Sequence, residues 1–63
     1  MDLSILRTYR KQNKIRQQDI AKRVGISQTY LSLIELNKKV PAVNVIEDIC
    51  NELDLELRII QKA

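Results

Sequence analysis

Residues 17–36, with the sequence QQDIAKRVGISQTYLSLIEL, constrain the fold of this 63-residue chain more than any other stretch. Ile20 and Val24 are four residues apart, which predicts an apolar ridge along one short helix. Leu31 and Ile34 are three residues apart and predict the inner face of a second helix. Between them lies the single glycine of the chain. The stretch therefore predicts two short helices joined by a tight turn.

The junction between these helices favours a helix-turn-helix over an unrelated helix pair in a small bundle. Gly25 stands where a chain leaving a helix adopts the left-handed conformation that costs glycine least. Ala21, four residues earlier, is small enough to let two helices cross closely, and Ser27 can cap the second helix. Apolar residues three and four apart occur in any amphipathic helix. The glycine and the alanine are therefore the main reason to prefer the helix-turn-helix.

Composition excludes most catalytic chemistry. The chain has no His, Trp or Phe and one cysteine, so most metal ligands and general acid–base pairs are missing. We expect no enzymatic activity, no metal, no cofactor and no small-molecule substrate. Cys50 shares an apolar row with Ile46, Ile49 and Leu53, which favours a buried structural thiol over a reactive one. With no disulfide, no membrane span and no secretion signal in the sequence, we expect a cytoplasmic protein.

Charge is divided unevenly along the chain. Residues 1–40 carry a net charge of +6, whereas residues 41–63 carry −3, for a total of +3. A basic part that holds the helix-turn-helix would be attracted to phosphates, and the acidic part should face away from DNA. A few excess lysines are common in small soluble domains, so the location of the charge matters more than its total.

The sequence predicts a single, mainly α domain over residues 1–63, with four helices and a tail. The predicted helices are about 3–12, 17–24, 28–36 and 43–53, and the helix-turn-helix itself covers 17–36. In the first helix we expect Ile5, Leu6 and Tyr9 to face inward, while Arg7, Lys11 and Lys14 are solvated or face phosphates. In the fourth, the expected inward residues are Val45, Ile46, Ile49, Cys50 and Leu53.

The spacing of apolar residues changes in the C-terminal tail. In residues 55–60, Leu55, Leu57 and Ile59 alternate with Glu56 and Arg58, which is typical of a strand. Because one strand alone is not stable, two copies would pair their tails antiparallel across a two-fold axis at Leu57. Glu56 would then face Arg58 of the other copy, and Leu55 would face Ile59. The competing interpretation continues the fourth helix, since Leu53, Leu57 and Ile60 also fit helical spacing.

The stretch from about residue 10 to residue 55 resembles the lambda-repressor/Cro-like (Xre) helix-turn-helix family. The matching residues are Arg10, Ile15, Gln17, Ala21, Gly25, Ser27, Gln28, Leu31, Ile34, Glu35, Lys38 and Pro41. The family is one of sequence-specific DNA-binding regulators that mostly act as dimers on inverted-repeat operators. The resemblance therefore implies double-stranded DNA as the partner and a homodimer as the active form.

The resemblance also implies a role for each matching position. Base reading falls to Gln28, Thr29 and Ser32 on the recognition helix, because Gln can pair with adenine and Thr can meet a thymine methyl. Arg10 and Glu35 correspond to a structural ion pair between the first and third helices. Contacts to DNA phosphates fall to Gln17, Arg16, Ser27, Tyr30, Lys38 and Lys39.

Four positions depart from the family pattern. Arg16 and Ala42 replace residues that usually cap the second and fourth helices. Asn37 replaces the usual glycine after the third helix and must accept a left-handed turn. Leu33 stands where a polar base-reading residue is common, and it can only contact a thymine methyl or lie at the groove edge.

Three functions remain at this point. The first is a repressor that occludes a promoter as a homodimer. The second is an antitoxin that binds DNA and also holds a toxin, although the chain shows no extension to wrap one. The third is a protein-binding adaptor that no longer reads DNA, which the presence of Gln17, Gln28 and Lys38 disfavours.

Overall fold

Four α-helices follow one another in residues 2–57, the part of the chain that the computed structural model describes. Their bounds are α1 Ser4–Gln12, α2 Gln17–Val24, α3 Gln28–Glu35 and α4 Val43–Glu52. All four predicted helices are present. The predicted ends at Leu3, Leu36 and Leu53 are each one residue too long, because these residues are caps outside the helices.

All four helices end in the same way. A residue one or two positions past the last helical residue has a positive φ: Lys14, Gly25, Asn37 and Asp54, at 57°, 85°, 60° and 58°. The next N–H then donates back to the carbonyl five residues earlier, as Ile26 does to Ala21 at 2.9 Å. A Cβ at Gly25 would meet nothing within 4 Å, so backbone conformation and not space favours glycine there. Asn37 accepts the left-handed turn expected of it.

The end of α4 decides part of the question about the tail. Asp54 is left-handed, and the Leu55 N–H donates to the Cys50 carbonyl at 2.8 Å, which turns the chain away from the helix axis. The alternative that α4 continues through residues 55–57 is therefore wrong. These three residues are not a strand either. The rest of the predicted strand, with Arg58 and Ile59, lies outside the described residues.

The helix starts match the capping chemistry of the sequence. The Ser27 hydroxyl accepts the Tyr30 N–H at 3.0 Å, as its place before α3 predicts. Arg16 and Ala42 precede α2 and α4 in extended conformation without a side-chain cap. Helix α3, which begins at the proposed DNA-reading residues, is therefore the best anchored of the three at its first turn.

The core lies between the four helices, where α2 packs against α3 and α4 and α1 packs against α3. Its buried apolar residues are Leu3, Leu6, Ile20, Ala21, Leu31, Ile34, Ile46, Ile49, Cys50 and Leu53. The predicted inward position of Ile5 is wrong, because its side chain is 50% exposed and Leu3 is buried instead. The inner face of α1 runs through Leu6 and Arg10, and the buried cap Leu3 extends it. A buried arginine shifts this face away from the one that hydrophobicity alone predicts.

The Asn37 side chain joins the end of α3 to the start of α1. Its Oδ1 accepts the Leu3 N–H at 2.7 Å, and its Nδ2 donates to the Asp2 carboxylate at 2.9 Å. The same carboxylate accepts the Ser4 N–H at 2.9 Å and the Ser4 hydroxyl at 2.7 Å. An asparagine at this position thus provides a contact that the usual glycine could not make.

These hydrogen bonds predict an acid-sensitive contribution to stability. Donation by the Ser4 hydroxyl, by Asn37 and by the Ser4 N–H lowers the pKa of Asp2 from 3.8 to about 2. A carboxyl whose pKa falls on folding stabilises the folded state above its unfolded pKa, and this contribution disappears as pH falls from about 4 to about 2. Urea unfolding at several pH values should show that the stability difference between wild type and Asp2→Asn shrinks across this window. A difference that stays constant from pH 5 to pH 2 would contradict the assignment.

Candidate nucleic-acid interface

A buried ion pair joins α1 to α3 beneath the proposed interface. The Arg10 Nε donates to Glu35 Oε2 at 2.8 Å and Nη2 donates to Oε1 at 3.1 Å, while Nη1 donates to the Ile15 carbonyl at 2.9 Å. Arg10 is 8% exposed and Glu35 is 3% exposed. Because the two charges are paired and bonded in a fork geometry, neither is left unsatisfied in the interior.

Gln17 connects this ion pair to the surface. Its amide nitrogen donates to Glu35 Oε1 at 2.9 Å, and its amide oxygen lies 3.5 Å from the amide nitrogen of Gln28. Gln17 begins α2 and Gln28 begins α3, so the contacts bring the first turns of two helices together. The buried carboxylate thereby fixes the orientation of Gln17, and Gln17 in turn lies against Gln28.

The residues predicted to read bases lie together on one surface. Gln28 and Thr29 are exposed in the first turn of α3, and Ser32 is half-buried one turn later. A shallow depression of about 310 Å³ is lined by Gln17, Gln28, Thr29, Ser32 and Leu33. Donors, acceptors and methyl groups thus face outward from one short helix, which is the set that base edges in a major groove require.

The residues predicted to contact phosphates differ in how exposed they are and in whether they already have a partner. Lys38 and Lys39 are exposed just past α3, whereas Tyr30 is half-buried and packs against the core. The Ser27 hydroxyl already caps α3. Arg16 Nε lies 3.1 Å from Asp19 Oδ2 in an exposed pair. Such a pair contributes little in water, so Arg16 can exchange Asp19 for a phosphate.

Sequence reasoning missed one feature of this surface and left another open. The contact between Gln17 and Glu35 spans 18 residues, and no local pattern indicates it. Arg7, which the sequence predicts to be either solvated or phosphate-facing, lines a depression that Gln17 and Ser32 also line. Helical spacing could have placed Arg7 on the same side of α1 as Arg10, three residues later.

Residues 2–57 contain no group of three His, Cys, Asp or Glu side chains that could hold a metal ion. No helix in this part of the chain is long and apolar enough to cross a membrane. Cys50 is buried, and burial, followed by the charge of Glu47, raises the pKa of its thiol above 9.0. A raised pKa opposes the thiolate that a reactive cysteine needs.

The amino-acid sequence matches a known family model. A helix-turn-helix model of the Cro/C1 type covers residues 6–60, which is most of the chain. The chain belongs to the Cro/C1-type (Xre-like) helix-turn-helix family. Members of this family are DNA-binding transcription regulators.

The chain is also similar to the "ImmF control region 10 kDa protein" of Bacillus phage phi105. It is 29% identical over 58 residues, which cover 92% of this chain and 64% of the phage protein. The chain thus spans slightly less than two thirds of the relative that it matches. No solved structure matches the chain significantly.

Proposed function

We propose that this chain is a sequence-specific DNA-binding repressor that acts as a homodimer on an inverted-repeat operator. The observation that carries the proposal is the grouping of Gln28, Thr29 and Ser32 on one outward surface of α3. The same surface belongs to the basic part of the chain, with Lys38 and Lys39 just beyond the helix. Family membership supports DNA binding, and the control-region name of the phage relative supports a regulatory role.

The first turn of α3 suits direct reading of bases. A glutamine amide can donate to adenine N7 and accept from N6, and a threonine methyl can pack against a thymine methyl. Gln17 restricts Gln28 before DNA arrives, so fewer side-chain rotamers are lost on binding. With Gln17 and the lysines on phosphates, the helix would be held at one depth in the groove.

Gln28→Ala should therefore weaken binding to the preferred operator by about 1–3 kcal/mol and relax preference at one base pair. The operator is first obtained by selection from random DNA, and affinity is then measured by fluorescence anisotropy on all four variants of each base pair. Gln12→Ala removes the same side chain from the exposed end of α1 and should change neither quantity. If Gln28→Ala weakened binding to every DNA sequence equally, the assignment of Gln28 as a base reader would be wrong.

A homodimer is supported by an apolar groove that no residue of α3 lines. A groove of about 490 Å³ between α1, α4 and the tail is lined mainly by apolar residues, among them the half-exposed Ile5 and the half-buried Leu55 and Leu57. Burying this groove between two copies would remove apolar area from water. A two-fold dimer would set its recognition helices about 34 Å apart, one turn of DNA.

Leu57→Asp should then shift the dimer towards monomers, because it places a charge in the apolar groove of each copy. Sedimentation equilibrium at several protein concentrations measures the shift. Val40→Asp serves as the control, since Val40 is 80% exposed in the loop before α4 and does not line the groove. If Leu57→Asp kept the dimer mass of the wild type, pairing through the tail would be rejected.

The antitoxin function remains the second candidate, because the same apolar groove could bind a toxin. A toxin partner would occupy the groove in place of a second copy, while α3 still binds DNA. Co-expression with the product of the neighbouring reading frame, followed by size-exclusion chromatography of the wild type and Leu57→Asp, separates the two functions. A stable complex that Leu57→Asp disrupts would favour the antitoxin.

A further inference from the structure

A second polar depression adjoins the reading surface on the side of α1. It has a volume of about 280 Å³ and is lined by Arg7, Arg10, Gln17, Ser32, Glu35 and Leu36. Gln17 and Ser32 also line the depression that holds Gln28 and Thr29. The two depressions are therefore parts of one continuous surface, and Arg7 lies at its α1 edge.

Arg7 supplies the excess charge of this second depression. Arg10 and Glu35 neutralise each other in the buried ion pair. Arg7 is exposed, and among residues 2–57 the arginines in ion pairs are Arg10, Arg16 and Arg23, so Arg7 has no carboxylate partner there. One uncompensated positive charge thus faces the polar surface next to α3.

We infer that Arg7 binds a phosphate of the DNA backbone at the wall of the groove that α3 enters. The guanidinium carries a planar fork of donors that matches two phosphate oxygens. Arg7 lines the same depression as Ser32 of α3, so a phosphate at this depression would be close to the reading surface. Helix α1 would thereby become a third DNA-contacting element, in addition to α2 and α3. This inference rests on the proposed function, since it requires α3 to lie in the groove.

The test compares Arg7→Gln with Arg23→Gln. Both variants remove one positive charge, but Arg23 lies 3.6 Å from Glu52 of α4, away from the depression. Binding to a random-sequence 30-bp duplex is measured by fluorescence anisotropy between 50 and 200 mM KCl. The slope of log Kobs against log[KCl] should become shallower by about 0.9 per bound protomer for Arg7→Gln and should stay close to wild type for Arg23→Gln. Raising KCl from 50 to 200 mM should therefore weaken the binding of Arg7→Gln by a factor about 3.5-fold smaller than the factor for wild type.

Two outcomes would overturn the role of Arg7. Equal slopes for Arg7→Gln and Arg23→Gln would mean that Arg7 acts only through net charge. An effect confined to one base pair of a selected operator would make Arg7 a base reader instead of a phosphate contact. Thermal unfolding of both variants checks that the fold is unchanged.

Parallel variants separate this failure from failure of the proposed function. Lys39→Gln should lower the salt slope, and Gln28→Ala should relax sequence preference, whatever Arg7 does. If both behave as expected while Arg7→Gln does not, the inference on Arg7 alone is wrong. If neither affects binding, DNA does not contact α3, and both proposals are wrong.

Discussion

Glu35→Ala is expected to destabilise the protein by about 3–5 kcal/mol, because it leaves the charged Arg10 buried without its partner. Glu35 accepts two hydrogen bonds from Arg10 and one from Gln17, and its side chain is almost fully buried. Folded domains are stable by about 5–15 kcal/mol, and a chain of 63 residues lies near the lower limit. A substantial unfolded fraction should therefore appear at room temperature. Urea titration followed by circular dichroism measures the loss.

A double variant distinguishes the cost of an unpaired charge from a simple loss of packing. Arg10→Met combined with Glu35→Leu removes both charges, so it should recover much of the stability lost in Glu35→Ala. Glu47→Ala, which changes an exposed glutamate of α4, should alter stability by no more than about 0.5 kcal/mol. A loss below about 1 kcal/mol for Glu35→Ala would show that the ion pair is not the element that holds α1 to α3.

Leu31→Ala is expected to cost about 2–5 kcal/mol, because it removes a side chain that is 0% exposed and leaves a cavity. Leu31 lies on the inner face of α3, within the cluster that Ile20 and Ile34 share. In so small a core few neighbouring side chains can move to fill the space. The same urea titration gives the free energy of unfolding, and the slope of the titration should stay near that of the wild type.

Leu36 provides a matched control at the other end of the same helix. Its side chain is 51% exposed just past α3, so Leu36→Ala removes the same atoms with little loss of packing. We expect Leu36→Ala to cost less than about 1 kcal/mol. Similar losses for the two variants would contradict the packing described for α3, because burial then would not determine the cost.

Local signals predicted the helices well. Apolar residues three and four apart, Ser27 before α3 and Gly25 after α2 each depend on neighbours within one or two turns. The sequence did not show that Lys14 and Asp54 also adopt left-handed conformations, since neither is a glycine. At these two positions the backbone is fixed by hydrogen bonds to the preceding turn and by packing beyond it.

The face of α1 shows where local reasoning fails. Ile5 is more apolar than Arg10, yet Ile5 is half-exposed and Arg10 is buried. Burial of the arginine is possible only because Glu35, 25 residues later, lies within hydrogen-bonding distance. A prediction based on hydrophobicity alone cannot include a partner that only the folded chain brings near.

The sequence by itself determined the four helices, the turn at Gly25 and the outward polar residues Gln28 and Thr29, because each follows from spacing along one helix. The tertiary structure decided the burial of the Arg10–Glu35 pair, its link to Gln17, the contact of Asn37 with Asp2, and the place of Arg7 in a depression that Ser32 also lines. These links join parts of the chain that are far apart in sequence. They depend on how the helices pack against one another, which helical periodicity does not specify.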